Sequence, residues 1–414
     1  MKNILIYGRG KVGLSLEKFC QKIDQPYSIC DDSDAPADFE AFDSIIPSPG
    51  VSSAHRIYET GKIVSELDFL FSYVPKGFQI HAVTGTDGKS TTSWILYHFL
   101  RDGFNDTPVY LGGNFGTPFA DIVSEIMDRE EKSGHIVLEV SSFMAYHLEK
   151  FAITSSILTN LHPDHLDWHR DIPEYINAKL NLLGHTKNII LYPESALQLA
   201  STIANFPLES IEMPNELTVQ DGLMEMSKGV FMDISDRQLY GRHNLNNIYL
   251  AASLAMSLGL TPKTLSASLP AITALPHRLQ KISGHDGKIW IDDSKSTTAQ
   301  SLFAALSAFS PQKVSLIAGG KDKGDAFTSL SDMLKDHCTQ CITLGETKQI
   351  FLQAAHDAYI PVVAVSDMQE AVAYMSEHTV EGDIILLSPG CASLDMFRSY
   401  EDRAEQFAAA VEGL

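Results

Sequence analysis

The sequence predicts an α/β protein built from three domains in series. Short apolar runs alternate with helical patterns along the chain, and glycine-rich turns follow several of these runs directly. The length of 414 residues also exceeds what one ordinary hydrophobic core holds. We expect the domains at residues 1–76, 77–275 and 276–414.

The N-terminal domain begins with the apolar run NILIY, which leads into the glycine turn GRGKVG and a helical pattern. A second run, PYSIC, ends at Asp31 about twenty residues further on, as in a dinucleotide-binding unit. This spacing predicts a small Rossmann-like domain. A nicotinamide cofactor, a nucleotide-sugar diphosphate and a purely structural turn all stay open at this point, and Lys11 can add a positive charge there.

The central domain begins with the run IHAVTGT, which continues into GTDGKSTT. A strand, a glycine-rich turn and a helix in succession direct backbone N–H groups and the helix dipole at an anion. Lys89 would neutralise the outer phosphates, and Ser90 or Thr91 would ligate Mg²⁺. The loop is shorter than the usual phosphate loop, since Val83 occupies the place of its first glycine.

The runs PVYLGG, HIVLEV, SSILTNL and NIILY alternate with helical patterns, so this P-loop ATPase-like domain should contain a mostly parallel sheet. Residues 214–240 alternate instead like antiparallel strands. Glu139 stands near the end of a buried strand, where an unpaired acid is costly. We predict that it ligates a metal, with a core ion pair as the alternative.

A polar loop follows the run SSILTNL and carries three histidines and three aspartates: His162, His165, His169, Asp164, Asp167 and Asp171. The spacing fits a transition-metal site, but oxygen-rich surroundings beside phosphates favour Mg²⁺. A polar loop that caps a helix is a third interpretation. Lys179, in the next helical pattern, would by default face solvent.

In the C-terminal domain the runs KIWIDDSKST, VSLIAGG, QCITLG, PVVAV and DIILLSPG predict a second Rossmann-like α/β sheet. Polar residues follow several of these runs. Before the joint between the domains, GRHNLNN offers Asn244 and Asn247, which are suited to hydrogen bonds with a base. Each of these motifs is a weak signal alone, and their order along the chain carries more information.

Composition excludes several classes of protein. The net charge of −21 argues against a binder of nucleic acid or of anionic membranes. No apolar stretch reaches the roughly 18 residues that a membrane helix needs. Five scattered cysteines fit a reducing compartment, and the Cys338–Cys341 pair is expected to pack rather than to bind metal. We therefore expect a cytoplasmic protein that neither binds nucleic acid nor inserts into membranes.

Taken in order, these motifs resemble the Mur ligase family. The family's short phosphate loop, G-T-N-G-K-[ST]-T, is matched by GTDGKSTT, which accounts for the missing spacer residues. The resemblance covers essentially the whole chain through GGNFGTPF, LEVSSF, PDHLDWH, AKLNLL, GRHNLNN, LPHRL, WIDDSKST and LLSPGCASLDMF. DDSKST and SPGCASLDMF are similar to the branch of the family that adds D-glutamate.

The resemblance implies an ATP-dependent amide ligase that acts in cytoplasmic peptidoglycan precursor synthesis. It would join D-glutamate to UDP-N-acetylmuramoyl-L-alanine through an acyl phosphate and a tetrahedral intermediate, giving ADP and phosphate. It also implies two Mg²⁺ ions and a monomer. The alternatives are another Mur-type or folylpolyglutamate-type ligase, an NAD-dependent oxidoreductase, and a non-catalytic nucleotide-sugar sensor.

The resemblance also implies roles for individual residues. The catalytic set would be Lys89, His165 and Lys179, and the metal ligands Ser90, Glu139, His165 and Lys179 as a carbamate. ATP would be bound by Gly85, Thr86, Asp87, Gly88, Lys89, Ser90, Thr91, Asn244, Asn247, Arg278, Asp293 and Lys295. The UDP substrate would be bound by Gly10, Lys11, Asp31, Asn114 and His165, and D-glutamate by Thr297, Lys323, Ser393 and Tyr400.

Five positions depart from the family pattern, namely Val12, Ser33, Asp87, Met144 and Thr298. The change at Asp87 has the clearest consequence, because its carboxylate adds a negative charge beside an anion unless it caps the helix or faces magnesium. The other four put individual substrate contacts in doubt rather than the reaction.

Overall fold

A computed structural model describes residues 3–35, 38–162, 164–165, 168–193, 209–214, 216–322 and 327–414. The chain is α/β, as predicted, and it forms two compact units. Residues 1–236 and 245–269 make up the first unit, and residues 237–244 and 270–414 make up the second. The three domain boundaries drawn from the sequence stay predictions.

The first unit contains twelve strands among its described residues: β1 Ile4–Tyr7, β2 Tyr27–Cys30, β3 Ser44–Pro47, β4 Gly77–Thr84, β5 Val109–Gly113, β6 Ser133–Glu139, β7 Ile153–Leu158, β8 Thr186–Pro193, β9 Glu209–Met213, β10 Val219–Gln220, β11 Leu223–Ser227 and β12 Val230–Asp233. A parallel sheet has the order β2-β1-β3, and a larger parallel sheet has the order β5-β6-β4-β7-β8-β9. Strands β10 to β12 are antiparallel, as the pattern at 214–240 predicts.

Helices connect these strands, with bounds Lys11–Lys22, Glu66–Phe71, Lys89–Gly103, Phe119–Asp128, Ser142–Ala145, Ile172–Gly184, Arg242–Ser257 and Pro262–Ser268, and short 3-10 turns lie at Arg56–Thr60 and Leu269–Ala271. The large sheet is buried on both faces, since Ile136, Val137 and Leu138 of β6 are all inaccessible to solvent. Its polar residues therefore collect where the strands end. Within the described residues, no helix combines the length and apolarity that a membrane span needs.

The second unit contains one six-stranded sheet among its described residues, with strands β13 Gln280–Ile282, β14 Ile289–Asp292, β15 Val314–Ala318, β16 Cys338–Thr343, β17 Val362–Ala364 and β18 Ile384–Leu387. The order is β13-β14-β18-β15-β16-β17, with only β13 antiparallel. Its helices are Ala299–Ser307, Leu330–His337, Lys348–Asp357, Met368–His378 and Tyr400–Glu412. Cys338 and Cys341 are buried in this core, and burial raises the pKa of both thiols.

Two histidines form a hydrogen-bonded pair inside the large sheet of the first unit. Nε2 of His81 on β4 lies 3.0 Å from Nδ1 of His135 on β6, and the Phe104 ring stacks on His135 at 4.9 Å between ring centres. Burial lowers the pKa of His81 to about 3, with the charge of His135 acting in the same direction, and burial also lowers the pKa of His135. Both side chains therefore favour the neutral form in the folded state.

We expect this pair to make stability depend on pH. Unfolded histidines take up protons below about pH 6.5, whereas the folded pair takes them up less readily, so the free energy of unfolding should fall as pH decreases from 6.5. The slope per histidine is at most about 1.4 kcal/mol per pH unit. Urea unfolding between pH 5 and pH 8 should show a shallower slope for His81→Gln than for wild type. His356→Gln, at an exposed histidine, should keep the wild-type slope, and equal slopes in all three proteins would contradict the expectation.

Candidate active site

The phosphate loop lies between strand β4 and the helix Lys89–Gly103. Gly85 and Gly88 have φ values of 142° and 78°, a backbone region that favours glycine. A Cβ at Gly85 would lie 2.0 Å from Oγ1 of Thr159, and one at Gly88 would lie 2.5 Å from Oδ1 of Asn247. Both positions therefore require glycine, for packing as well as for backbone conformation. The helix begins at Lys89, so Ser90 and Thr91 lie in its first turn.

The loop that follows β7 holds the phosphate loop in place. Oδ1 of Asn160 accepts hydrogen bonds from the N–H groups of Thr86 and Asp87 at 3.1 and 2.8 Å. The carbonyl of Asp87 accepts from the hydroxyl of Thr159 at 2.5 Å and from Nδ2 of Asn160 at 3.1 Å. These contacts engage the main chain of Asp87, while its side chain is exposed. The sequence analysis did not single out Thr159 or Asn160.

Glu139 ends strand β6, beside Val83 of β4. Its side chain is only 1% exposed. Oε1 accepts a hydrogen bond from Nδ2 of Asn114 at 2.7 Å, and the buried Oε2 has no hydrogen-bond partner among the described residues. A buried carboxylate oxygen without a partner is costly unless something else satisfies it. This orphan oxygen favours metal ligation over a core ion pair.

Lys179 is 1% exposed, so its default assignment as a solvent-facing lysine is wrong. Its Nζ donates to the carbonyl of Gly85 at 2.5 Å and lies 4.7 Å from the centre of the Tyr175 ring. Burial lowers the pKa of Lys179 to about 7, and the positive charge of Lys89 also lowers it. The nearby carboxylates, among them Glu139, raise this pKa but do not offset the effect of burial. A buried amine that loses its proton near neutral pH is a nucleophile rather than a fixed charge.

His165 lies close to Tyr175, a residue of the helix that also carries Lys179. Its backbone has φ 54°, unusual for a residue other than glycine, and its ring centre lies 4.8 Å from that of Phe143 and 6.3 Å from that of Tyr175. The hydroxyl of Tyr175 is 2.7 Å from Oγ1 of Thr86 in the phosphate loop. Of the other polar residues predicted for this loop, Asp171 caps the helix Ile172–Gly184 and His169 is buried against Ser142. Asp167 lies outside the described residues.

The first unit also contains a cleft of about 550 Å³ at the predicted UDP-substrate residues. Gly10, Lys11, Asp31 and Asn114 all line it. Nζ of Lys11 donates to the carbonyl of Gly116, another lining residue, at 2.8 Å. His165 is not among the lining residues. The structure thus brings four of the five predicted residues to one cavity.

The structure also locates the other residues that depart from the family pattern. Val12 and Met144 line the cleft, and Ser33 donates from its hydroxyl to Oδ1 of Asp31 at 2.6 Å. Thr298 caps the helix Ala299–Ser307. Tyr7, which the sequence analysis did not select, lines the cleft as well, and its hydroxyl donates to Asp32 at 2.7 Å.

The predicted site residues of the second unit gather at the carboxyl ends of β14 and β18. Oδ1 of Asp293 accepts from the N–H of Leu279 at 3.2 Å, and Oδ2 accepts from the hydroxyl of Ser388 at 2.8 Å. Burial raises the pKa of Asp293 to about 7, and these two hydrogen bonds oppose the rise. The Arg278 side chain is exposed, and its charge is close enough to Asp293 to lower that pKa.

Lys295 and Tyr400 meet at the same edge of this sheet. Nζ of Lys295 lies 5.3 Å from the centre of the Tyr400 ring, and the Tyr400 carbonyl accepts from the hydroxyl of Ser294 at 2.9 Å. Thr297 follows in the same segment, and Ser393 is buried in the segment after β18. Asn244 and Asn247 lie on the helix Arg242–Ser257. Lys323 lies outside the described residues, so its predicted D-glutamate contact has no structural counterpart here.

The donors of the first unit fit Mg²⁺. Carboxylate and hydroxyl oxygens are the ligands that this ion prefers, and Glu139 offers an unsatisfied carboxylate oxygen while Ser90 offers a hydroxyl at a helix N-terminus. Lys179 and His165 stand beside the same loop, where a carbamate on Lys179 would add an anionic oxygen. This part of the molecule is therefore suited to a nucleotide triphosphate with its metal ions.

Comparison with known families defines the class of this chain. The model of the Mur ligase middle domain matches residues 83–255, and the model of the Mur ligase glutamate ligase domain matches residues 277–391. The phosphate loop, Glu139, His165 and Lys179 fall within the first match. The protein is a Mur ligase.

Curated relatives define the branch of the family. The chain is 30% identical over 420 residues to a UDP-N-acetylmuramoylalanine--D-glutamate ligase of Aquifex aeolicus, covering 99% of this chain and 98% of the relative. It is 31% identical over 456 residues to the enzyme of that name from Nitrosomonas eutropha, covering 100% of this chain and 96% of the relative. The chain therefore belongs to the UDP-N-acetylmuramoylalanine--D-glutamate ligase family.

Solved structures agree on the fold. The UDP-N-acetylmuramate-alanine ligase MurC of Thermotoga maritima has a TM-score of 0.61 at 15% identity, covering 99% of both chains. The MurF ligase of the same organism, solved in complex with ADP, has a TM-score of 0.62 at 15% identity, covering 99% of this chain and 94% of that one. These comparisons confirm the predicted α/β fold class.

Proposed function

We propose that this protein joins D-glutamate to UDP-N-acetylmuramoyl-L-alanine, with ATP converted to ADP and phosphate. One observation carries the proposal: Asn114 lines the substrate cleft, and its amide donates to Glu139 beside the phosphate loop. A substrate in the cleft can thus extend towards the site where ATP phosphates would bind. The substrate names of the curated relatives support the same assignment.

The chemistry follows from charge. A substrate carboxylate and the outer phosphate of ATP repel each other, so positive charge must offset both before an acyl phosphate can form. Lys89 begins the helix at the phosphate loop and contributes one positive charge. Mg²⁺, held by Ser90, Glu139, His165 and carbamylated Lys179, would supply further neutralisation and orient the phosphates. The amine of D-glutamate then attacks the acyl carbon, and phosphate leaves from a tetrahedral intermediate.

Carbamylation of Lys179 has a physical basis in its burial. Only a neutral amine attacks CO₂, forming an N–C bond and releasing one proton, and the pKa of about 7 makes much of the amine neutral near pH 7. The product is an anionic oxygen ligand in place of a buried cation. Next to Glu139, such a ligand gains more from a divalent metal than an ammonium would.

All but one of the remaining groups belong to the second unit, and Asn247 belongs to the first. We assign Arg278, Asp293 and Lys295 to ATP, together with Asn244 and Asn247 for the base. Thr297, Ser393 and Tyr400, with Lys323 from outside the described residues, are assigned to D-glutamate. We also propose a monomeric enzyme acting in the cytoplasm, because its nucleotide-linked substrates and ATP are found there.

An assay of phosphate release tests the function. Purified protein is incubated with ATP, Mg²⁺ and UDP-N-acetylmuramoyl-L-alanine, and then with one amino acid from a panel of D-glutamate, L-glutamate, L-alanine, L-lysine and diaminopimelate. We expect release above background only with D-glutamate, and the peptide product by mass spectrometry. Release with another amino acid would point to a different amide ligase. Release with none of them would contradict the assignment.

A further inference from the structure

The segment after strand β3 forms one wall of the substrate cleft. Ser48, Pro49, Gly50 and Val51 all line this cavity. At its start, the N–H of Ser48 donates to the carbonyl of Tyr7 on β1 at 2.7 Å. The remainder of the wall lies beyond the end of β3, outside the β-ladder. Locally, the N–H of Val51 donates to the carbonyl of Ser48 at 3.0 Å, and the Tyr58 hydroxyl donates to the carbonyl of Val51 at 3.2 Å.

Trp168 adds contacts from a distant part of the first unit. Its indole Nε1–H donates to the carbonyl of Pro49 at 3.0 Å. Its own carbonyl accepts from the hydroxyls of Ser52 and Ser53, each at 3.1 Å. Trp168 is 7% exposed, so these three hydrogen bonds are largely shielded from water. Trp168 thus links the segment 48–53, which includes the cleft wall, to the loop in which His165 lies, since its backbone N–H also donates to the carbonyl of His165 at 3.1 Å.

Aromatic packing continues this connection to His165. The Trp168 ring lies 4.7 Å from the Phe143 ring, and the Phe143 ring lies 4.8 Å from the His165 ring, measured between ring centres. Phe143 precedes Met144, which lines the cleft. A displacement of the cleft wall can therefore be transmitted through these packed aromatic rings to His165, a proposed metal ligand.

Glu174 provides a second connection, on the helix that carries Lys179. Its Oε2 accepts from the hydroxyl of Ser53 at 3.1 Å and from the N–H of Arg170 at 2.8 Å. Its Oε1 accepts from the hydroxyl of Tyr146 at 2.7 Å and from Nε of Arg170 at 2.7 Å. The Ser53 hydroxyl therefore lies within hydrogen-bond distance of both the Trp168 carbonyl and Glu174, and its single proton can be donated to either oxygen.

We propose that Trp168 and Glu174 are positioning residues that couple the substrate cleft to the metal site. They fix the position of the segment 48–53 relative to His165 and Lys179. Binding of the UDP substrate therefore favours the arrangement that the magnesium nucleotide requires, and binding of the nucleotide favours the arrangement that the UDP substrate requires. Neither residue touches the reacting atoms in this assignment, and both act through the groups that they hold. The inference rests on the proposed function, because it takes the UDP substrate as the occupant of the cleft.

Coupling of this kind is reciprocal and measurable. If two ligands favour the same arrangement, each increases the affinity of the other by the same factor, typically about 5-fold to 150-fold. We expect UDP-N-acetylmuramoyl-L-alanine to bind the full chain at least about fivefold more tightly when Mg²⁺ and a non-hydrolysable ATP analogue are present. A residue that only stabilised the fold would change the melting temperature without changing this ratio.

Calorimetric titrations of Trp168→Phe test the proposal. The substitution removes the indole N–H but keeps an aromatic ring, and we expect the affinity ratio to fall to about twofold or less, while the analogue alone binds within about twofold of wild type. Trp290→Phe is the matched control, because it removes a buried indole hydrogen bond, to Asp286 at 3.1 Å, in the second unit. This control should keep the wild-type ratio.

A second pair of variants covers the case in which Trp168→Phe does not fold. Ser53→Ala removes the hydroxyl that lies within hydrogen-bond distance of Trp168 and Glu174, and it should lower the ratio, whereas Ser53→Thr retains a hydroxyl and should restore it. A wild-type ratio near one, or an unchanged ratio in Ser53→Ala or in folded Trp168→Phe, would overturn the inference while leaving the ligase assignment intact. Failure of the wild-type protein to bind the UDP substrate would instead contradict the proposed function and the inference with it.

Discussion

Replacement of Lys179 by alanine should lower kcat by about a hundredfold to a thousandfold, and added formate or acetate should restore part of the activity. The magnitude is that of removing one well-placed group that stabilises charge in a transition state. Rescue is expected because the substitution leaves space beside Gly85 and Glu139, where a small carboxylate can supply the oxygen that the carbamate provides. Steady-state phosphate release with and without the acid measures both effects.

Two controls make this result specific. Lys187→Ala, at an exposed lysine on strand β8, should keep wild-type activity and should not respond to acetate. Sodium chloride at matched ionic strength should not rescue Lys179→Ala. If Lys179→Ala retains wild-type activity, Lys179 is not a carbamylated ligand, and if it loses activity without any rescue, the amine itself is the functional group.

Enzyme activity should fall as pH decreases below 7 when CO₂ is scarce. The pKa of Lys179 is lowered to about 7, so the protonated fraction of the free amine grows as pH falls through 7, and a protonated amine does not react with CO₂. In buffers depleted of CO₂, activity should therefore decline on the acid side of pH 7, and added bicarbonate should restore it. Carbon-13 NMR with labelled bicarbonate should show one carbamate signal that is absent from Lys179→Ala.

The sequence predicts the strand ends well because those signals are local. GTDGKSTT follows an apolar run directly, and such a run with a glycine turn has few alternatives to a strand that leads into a helix. Glu139 is found for the same reason, since an acid inside an apolar run conflicts with its surroundings. Asn114 needed the family resemblance, because nothing local says that it shares one cleft with Asp31, about eighty positions before it.

The sequence analysis missed residues whose contacts depend on which strands are neighbours in the sheet. Asn160 holds the phosphate loop only because β7 pairs with β4, and a single asparagine after a strand carries no sign of that pairing. Lys179 did leave a signal. Tyr175, Ile176, Leu182 and Leu183 surround it at helical spacings of three and four, which places it on the apolar face of its helix. Reading that face would have predicted a buried lysine without any reference to a family.

Replacement of Glu139 by glutamine should separate activity from stability. The isosteric amide keeps the shape of the side chain but removes the negative charge that Mg²⁺ requires, so we expect about a 10-fold to 100-fold rise in the Mg²⁺ concentration for half-maximal activity. The same substitution should leave stability unchanged or increase it. Oε2 of Glu139 is a buried carboxylate oxygen with no hydrogen-bond partner in the part of the chain that the structure describes, and neutralising the carboxylate removes a desolvation cost in the absence of metal.

A weaker response to Mg²⁺ together with unchanged or higher stability distinguishes a metal ligand from an acid that serves only the fold. If Glu139 served a core ion pair, the glutamine variant would unfold more easily, because a buried charge would lose its partner. Glu131→Gln is the matched control, since Glu131 accepts a hydrogen bond from the Tyr110 hydroxyl at 2.7 Å and has no proposed metal role. It should leave the Mg²⁺ dependence unchanged. Unchanged Mg²⁺ dependence together with a lower melting temperature in Glu139→Gln would mean that the acid was kept for packing, and that the metal ligand must be sought elsewhere in the site.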